Sequence, residues 1–231
     1  MKIVEKVWSL FKSPFKKIDR MIFSSLSDEF IRALEQECVE RDNYKTLLDI
    51  GCGKCSPIHR FSKKINYTLG IDAFEPAIEE SRKLKIHNEY KVMECKDIEN
   101  EFQENSFDCV CALDFIEHLS KEDGLKLIDS MERIARKKVI IFTPNGFLPQ
   151  GVYDNNPFQP HLSGWGVKEM KNMGYRVIGM GGLKFLKGEI AKIKWRPEFF
   201  WRRISLLSQP IVTNWPNMAF AILCIKDLDK R

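Results

Sequence analysis

From residue 45 onward, the chain alternates short apolar runs with amphipathic stretches. A short apolar run bounded by turn residues predicts a buried strand, and apolar positions three and four apart predict a helix. The predicted strands are 46–50, 67–71, 90–95, 107–113, 138–143, 175–180 and 218–225. Strands that alternate with helices are typical of βαβ units, so the pattern predicts an α/β fold with a parallel sheet.

Three helices are predicted from residues that are typical of helix ends. The first begins at Ser27 and ends near residues 42–43, and a short third one covers 166–173, before Gly174. The second follows Ser120, which forms a capping-box pattern with Asp123. Its predicted buried stripe is Leu125, Ile128, Met131 and Ile134.

The domain organisation follows from the same pattern. Residues 1–25 form a basic amphipathic N-terminal extension, and residues 26–231 are expected to form one domain. A long aromatic insertion, residues 182–217, separates the last two predicted strands. With 231 residues and 44% hydrophobic positions, the chain is large enough for one core.

Cysteine content and hydropathy indicate the compartment. Seven cysteines are an odd number, which argues against a secreted disulfide scaffold and favours a reducing cytoplasm. The longest apolar runs fall well short of the roughly 20 residues that cross a bilayer, so no transmembrane helix is expected.

The net charge of +5 is unevenly placed. Residues 1–20 carry six basic and two acidic side chains, and residues 184–206 carry seven basic and two acidic ones. These segments either meet something anionic, such as a phosphorylated substrate or a membrane surface, or form an ordinary solvated surface. A peripheral membrane contact is therefore expected as one option.

The tetrapeptide CGKC, which begins at Cys52 and ends at Cys55, allows three interpretations. A redox pair needs a cysteine of lowered pKa at a helix N-terminus, and nothing in that chemistry requires the upstream Asp49 and Gly51. A zinc site needs a second ligand pair, and the other close pair, Cys109 and Cys111, lies inside a predicted buried strand. A nucleotide-binding turn is the third interpretation.

The pattern D-x-G-x-G at Asp49, Gly51 and Gly53 favours the nucleotide. Asp72, nineteen residues after Gly53, ends the second predicted strand, where a carboxylate can accept from ribose hydroxyls. A dinucleotide is disfavoured, because Ser56 stands where a third glycine would admit the pyrophosphate and because Asp49 would repel it. A cationic ligand such as S-adenosylmethionine suits these residues better.

Four segments in order resemble the motifs of class I S-adenosylmethionine-dependent methyltransferases, in the broad group related to ubiquinone-biosynthesis and other small-molecule methyltransferases. They are LLDIGCGKC, LGIDAF (69–74), CKDIEN (95–100) and FDCVCALDFIEHL (107–119). The resemblance covers residues 45–145 and departs at Cys55, where the family often has glycine. It implies a Rossmann-like, seven-stranded, mostly parallel sheet with helices on both faces and an antiparallel last strand.

The resemblance also implies the roles of cofactor-binding residues. Gly51 and Gly53, with Cys52 between them, would line the methionine portion, and Asp49 would help to hold it, directly or through water. Asp72 would bind the ribose. The adenine would lie among Ala73 or Phe74, the carboxylate of Asp97, the backbone of Ile98, and Leu113 with Asp114 on the other side.

Two histidines are candidate general bases, which methyl transfer needs only when the acceptor is a weakly acidic hydroxyl. His118 follows the fourth predicted strand, and His161 lies in the long loop after the fifth. Either could instead be structural, His118 packed on the sheet and His161 bonded to its own loop.

Whether a metal is used stays unknown from the sequence. Asp114, Glu117 and His118 fall at i, i+3 and i+4, and a similar cluster in related quinone O-methyltransferases is associated with a divalent metal, normally with Glu at the first position. Asp114 is also claimed by the cofactor pocket.

The favoured function is S-adenosylmethionine-dependent methylation of a small-molecule or lipid-like acceptor in the cytoplasm, with O-methylation preferred. The alternatives are an NAD-dependent oxidoreductase and a non-catalytic binding module that kept the fold and contacts a membrane or protein partner. No nucleic-acid partner is expected, since ALDF (112–115) does not match the D/N-P-P-Y/F/W pattern of amino-methylating enzymes. The oligomeric state is not predicted.

Overall fold

The computed structural model describes residues 28–40, 44–152 and 156–228. The predicted extension, residues 1–25, lies outside the described residues, as do Ser27 and the predicted end of the first helix at 42–43. The division of the chain into an extension and one domain therefore stays a prediction.

Seven strands form one sheet in the order β3-β2-β1-β4-β5-β7-β6. They are β1 (Thr46–Ile50), β2 (Tyr67–Asp72), β3 (Glu89–Val92), β4 (Phe107–Leu113), β5 (Ala135–Pro144), β6 (Arg176–Leu183) and β7 (Ala219–Asp227). The first five are parallel, and β7 runs antiparallel to both β5 and β6. The predicted Rossmann-like sheet with an antiparallel last strand is confirmed.

The helices surround this sheet. They are α1 (Glu29–Glu35), α2 (Glu75–Leu84), α3 (Ile98–Glu101), α4 (Lys121–Ile134), α5 (Val167–Asn172), α6 (Glu198–Leu207) and α7 (Gln209–Asn214). A π-helical turn, Gln36–Glu40, continues α1. Both α6 and α7 belong to the predicted insertion. Within the part of the chain that the structure describes, no helix has the length and apolar composition to cross a bilayer.

Ser120 caps the N-terminus of α4 as the sequence predicts, although Asp123 bonds back to the Ser120 hydroxyl and not to its backbone amide. The Asp123 amide donates to Ser120 Oγ at 3.1 Å, and that hydroxyl donates to the Asp123 carboxylate at 2.7 Å. The predicted buried stripe is wrong at Leu125, which is 41% exposed. Leu127 takes its place beside Ile128, because those two side chains point toward the sheet.

Two hydrophobic clusters form the core, one on each face of the sheet. Successive side chains of a strand point to opposite faces, so Leu48 and Val110 belong to one cluster while Leu47 and Cys109 belong to the other. All of β4 is buried because it lies at the centre of the sheet.

The sheet places the site at one edge. Strands β1, β2, β4 and β5 are parallel, so their carboxyl ends meet at the same edge. The strand order reverses between β1 and β4, and open α/β sheets bind ligands in the crevice at such a point.

Candidate functional site

The turn after β1 is tied to the end of β2. Gly51 and Gly53 have φ of +69° and +54°, the left-handed region that glycine adopts without strain. The amides of Gly51 and Cys52 both donate to the Ile71 carbonyl, at 2.8 and 3.0 Å. A Cβ at Gly53 would meet no atom within 4 Å, so this glycine faces the space that a ligand needs.

Asp72 joins two loops at the end of β2. One carboxylate oxygen accepts from the Gly53 amide at 2.9 Å, and the other accepts from the Phe74 amide at 2.8 Å. Burial raises the pKa of Asp72, although these two hydrogen bonds lower it in part. Each oxygen keeps a free lone pair, as the predicted ribose contact requires.

Asp49 lies beneath the turn rather than on a cavity wall. Its side chain is 1% exposed, with one oxygen 2.9 Å from His87 Nε2 and the other accepting from Cys111 Sγ at 3.4 Å. His87 is buried and lies in the loop between α2 and β3. This geometry fits support of the turn; the predicted hold on the cofactor stays a prediction.

The cysteines of the turn do not have the chemistry of a redox pair. Cys52 is buried, and burial followed by the charges of Asp49 and Asp72 raises the pKa of its thiol. A redox cysteine needs the opposite shift. Cys55 is exposed, and all seven cysteines are free thiols.

A cavity of about 390 Å³ lies between the ends of β2, β3 and β4. Its apolar walls suit a flat aromatic ring and include Ala73, Met93, Ile98, Phe115 and Leu119. The predicted residues Ala73 and Ile98 are thus both on the wall. Asp97 is not among the lining residues, although its turn neighbours Cys95 and Lys96 are.

Phe115 was not predicted as a site residue. Its ring covers the first turn so closely that a Cβ on Gly51 would come within 2.0 Å of Phe115 Cδ2. The sequence shows only a phenylalanine within the fourth motif, and its contact with Gly51 depends on how β1 and β4 pair.

Leu113 ends β4 and Asp114 follows it; both line the cleft beside the glycine turn and not the apolar cavity, so their predicted place beside the adenine stays a prediction. Asp114 has a φ of +53°, and its amide donates to the Phe142 carbonyl at 2.8 Å. Its side chain is exposed to the cleft, while the protein that surrounds its other sides raises the pKa of Asp114 to about 7. Water in the cleft offsets part of that rise.

Glu117, His118 and His161 form a cluster whose ligand atoms all lie within 4.8 Å of one another. The two imidazole rings meet edge to face at 4.8 Å between centroids. Glu117 is buried and accepts from Thr143 Oγ1 at 2.9 Å. Burial, with the charge of Asp114, raises the pKa of Glu117 well above its ordinary value.

Both histidines contact backbone carbonyls through Nδ1. His118 Nδ1 lies 3.3 Å from the Pro160 carbonyl, and His161 Nδ1 lies 2.6 Å from the Leu148 carbonyl. Because a carbonyl oxygen only accepts, the hydrogen of the neutral His161 ring lies on Nδ1, which leaves its Nε2 as the acceptor, whereas the His118 ring also interacts with the backbone of Gln159 and Asp114. Burial lowers the pKa of both rings, and the neighbouring His161 lowers that of His118 further, which favours the neutral form.

The long loop after β5 brings His161 to His118. The amides of Leu162 and Ser163 donate to the Glu117 carbonyl at 2.8 and 3.1 Å. Trp165 is fully buried and donates to Ser163 Oγ at 3.0 Å. These bonds fix the part of the loop that directly follows His161. Residues 153–155 of this loop lie outside the described residues.

One cleft of about 740 Å³ connects these features. Its lining combines the glycine turn, the predicted ribose and acceptor sides, and the histidine cluster: Gly51, Cys52, Gly53, Asp72, Phe74, Leu113, Asp114, Glu117, His118 and His161. The structure therefore gathers most of the sequence-predicted site residues at a single cleft, with Asp49 and Asp97 set back from it.

Comparisons with known proteins agree with this geometry. Residues 48–143 match the family described as "Methyltransferase domain". A search of curated protein sequences found no match.

Solved structures share the fold. One is a SAM-dependent methyltransferase from Archaeoglobus fulgidus, with a TM-score of 0.54 and 18% identity over 93% of this chain and 100% of that one. Another is magnesium protoporphyrin IX methyltransferase from Synechocystis PCC 6803 with bound SAM, with a TM-score of 0.51 and 14% identity over 96% of this chain and 95% of that one. A third is the methyltransferase domain of bacterial CtHen1, with a TM-score of 0.54 and 15% identity over 88% and 100%.

Proposed function

We propose that the chain is a class I S-adenosylmethionine-dependent methyltransferase that methylates a hydroxyl oxygen of a small or lipid-like acceptor; the match of residues 48–143 to a methyltransferase family and the shared fold support the first part. The observation that carries this proposal is the shared cleft. The glycine turn and both histidines line the same cavity.

The residues present fit the cofactor. Gly53 opens onto free space, Asp72 keeps acceptor capacity for a ribose, and the apolar cavity at Ala73 and Ile98 suits an adenine. When bound, S-adenosylmethionine supplies an electrophilic methyl group on a sulfonium that leaves readily. The chain's main task is then to align the acceptor with that methyl group.

The histidines supply the base that a hydroxyl acceptor requires. A neutral imidazole with a free Nε2 accepts the hydroxyl proton, while its Nδ1–H stays bonded to a backbone carbonyl and fixes the ring. His161, bonded through Nδ1 to the Leu148 carbonyl, has this arrangement, whereas the His118 ring also interacts with the backbone of Gln159 and Asp114. Glu117 lies close enough to stabilise the imidazolium that forms.

The same three side chains suit a divalent cation. Two neutral imidazoles and a carboxylate are the donors that transition metals prefer, and backbone carbonyls already orient both rings. Such a cation would lower the pKa of a bound hydroxyl. We therefore include chelation in the test.

The turn itself disfavours the oxidoreductase alternative. A dinucleotide places its pyrophosphate at the N-terminus of the helix after the first strand. Here that segment is a four-residue 3-10 turn, Pro57–Arg60, whose first amide-bearing residue Ile58 is already capped by Ser56 Oγ at 3.4 Å.

Exposed aromatic side chains in the insertion support a partly apolar acceptor and a peripheral membrane contact. Trp195, Phe199 and Phe200 are 50%, 66% and 48% exposed on and beside α6, among basic side chains. Aromatic side chains flanked by lysine and arginine are what interfacial helices use on anionic lipid.

Titration calorimetry with S-adenosylhomocysteine and with NAD tests the cofactor half of the proposal. We expect binding of the first and none of the second. Labelled methyl transfer into a metabolite and lipid extract then tests the reaction.

Variants identify the base. His161→Asn and His118→Asn are each expected to lower methyl transfer by about 10²–10⁴-fold with cofactor affinity unchanged. Loss of activity with a chelator, restored by a divalent ion, would assign the cluster to a metal. Transfer that survives both substitutions would contradict the O-methylation proposal.

A further inference from the structure

A second cavity, of about 510 Å³, lies between the tip of β5 and the start of the insertion. Three lysines line it together with aromatic and aliphatic side chains, and we call it the lysine pocket. Its lining residues include Lys184, Lys187, Lys194, Phe147, Phe185 and Phe220. Among the described residues that line it, none is acidic.

The local fold holds the lysines at this wall. Lys184 Nζ donates to the backbone carbonyl of Asn145, another lining residue. The Nζ of Lys187 lies 5.2 Å from the centre of the Phe220 ring. An antiparallel bridge from Lys187 to Ile193, with the Lys194 amide donating to the Leu186 carbonyl at 2.9 Å, brings Lys194 back to the same place.

Asn145 is itself rigid, which fixes the first lysine. Its side-chain amide donates to the carbonyls of Pro216 and Ala219 at 3.0 and 2.9 Å. Each ammonium has three donors, so Lys184 keeps donors free beyond its bond to Asn145.

The positive charge of the pocket is not balanced within it. Lys187 is half-buried, and burial together with the charge of Arg202 lowers the pKa of its ammonium. A buried cation near a second cation is costly unless an anion accompanies it. A bound anion would remove both unfavourable effects.

The lysine pocket adjoins the cleft that holds the histidines. Pro144, Leu148 and Phe220 line both cavities. The backbone carbonyl of Leu148 also orients His161. A single molecule can therefore reach from the lysines across an apolar wall to the histidine cluster.

We propose that the lysine pocket binds a phosphoryl group of the acceptor, whose apolar portion lies across Leu148 and Phe220 and whose methylated oxygen reaches the histidines. This inference rests on the proposed function and deepens it by naming the acceptor class. A phosphate monoester on an apolar body and an anionic lipid headgroup share this chemistry.

Calorimetry on the full chain saturated with S-adenosylhomocysteine tests it, with hexyl phosphate, hexanol and inorganic phosphate as probes. We expect hexyl phosphate to bind more tightly than either of the others. Lys187→Met and Lys194→Met should each weaken it by about tenfold or more, the usual loss for a charged hydrogen bond. Lys192→Met is the matched control, since Lys192 is exposed on the same segment but does not line the pocket.

Vesicles distinguish the two sources of phosphate. If Lys187→Met abolishes co-sedimentation with phosphatidic acid vesicles, the ligand is a headgroup; if only hexyl phosphate binding falls, it is a soluble monoester. Unchanged hexyl phosphate affinity in Lys187→Met and Lys194→Met, with unchanged melting temperatures, would overturn the inference. Wild-type chain that fails to bind S-adenosylhomocysteine would instead overturn the proposed function.

Discussion

At the scale of single residues, Asp72 links the two loops that border the predicted ribose position. Its two oxygens accept from the amides of Gly53 and Phe74, so the carboxylate helps to hold the two loops together. A ligand hydroxyl would use the lone pairs that remain.

Asp72→Ala is expected to weaken S-adenosylhomocysteine binding by about 1–3 kcal/mol, because ligand hydroxyls and two amides lose their partner. Titration calorimetry measures this loss. Glu79→Ala, an exposed change on α2, is the control and should bind as wild type. Equal affinity in the Asp72 variant would remove its role at the ribose.

Asp114 should make the stability of the ligand-free protein depend on pH. Burial raises its pKa in the fold above the 3.8 of the unfolded chain. Above pH 3.8 the folded state keeps a proton that the unfolded chain has lost, so stability falls as pH rises and levels off once the folded carboxyl has also ionised.

Asp114→Asn should therefore gain more stability over wild type at pH 8 than at pH 5, as measured by urea unfolding. Asparagine also tolerates the φ of +53°, which adds a gain that is the same at both pH values. Asp129→Asn, exposed on α4, should show neither effect. An Asp114→Asn gain that does not change with pH would show that water in the cleft fully solvates the carboxylate.

At the scale of elements, a buried ion pair joins the π-helical turn after α1 to the sheet. Lys138 on β5 is 1% exposed and lies 2.9 Å from Glu37, which also binds Arg176 of β6 at 2.7 Å. Burial tends to raise the pKa of Glu37, but the hydrogen bonds from Arg176 and Lys138 outweigh it and hold the pKa below its ordinary value of 4.5.

Glu37→Gln should destabilise the fold by about 3–5 kcal/mol, since it leaves Lys138 buried without its main partner. The lowered pKa adds stability above pH 4.5 that is lost as pH falls through the folded value, and the variant should lack that part of the acid sensitivity. Chemical unfolding between pH 3 and 7 measures both. The double variant Glu37→Leu with Lys138→Met should recover much of the lost stability, because it removes both buried charges. If it does not, the cost of Glu37→Gln does not come from leaving Lys138 unpaired.

At the scale of the whole molecule, the hydrophobic pattern was enough to predict the strands, while the antiparallel last strand was expected only from the family resemblance. Buried strands such as β4 carry continuous apolar runs, so a short stretch of sequence is enough to predict them. Strand ends were less well predicted: β3 ends at Val92 because a 3-10 turn, Cys95–Asp97, follows it, and β5 begins at Ala135.

The site residues that belong to sequence motifs were predicted, whereas those that meet only through the pairing of strands were missed. Glycines and acids at the strand ends are visible in the sequence. The contacts of Phe115 with Gly51, of His87 with Asp49 and of Lys184 with Asn145 join residues from about 38 to 64 positions apart. No local pattern carries that information, because such contacts form only when the strands take their order in the sheet.

The position of β7 has a consequence for how the protein is made. It is the last strand to leave the ribosome, yet it lies between β5 and β6, and β6 pairs with no other strand of the described sheet. A nascent chain can assemble the five parallel strands and the glycine turn first. Strand β6 and the lysines that follow it can take their final positions only after β7 has been synthesised. The lysine pocket is thus completed after the glycine turn, and a chain interrupted before Ala219 would lack Phe220, which lines both that pocket and the cleft.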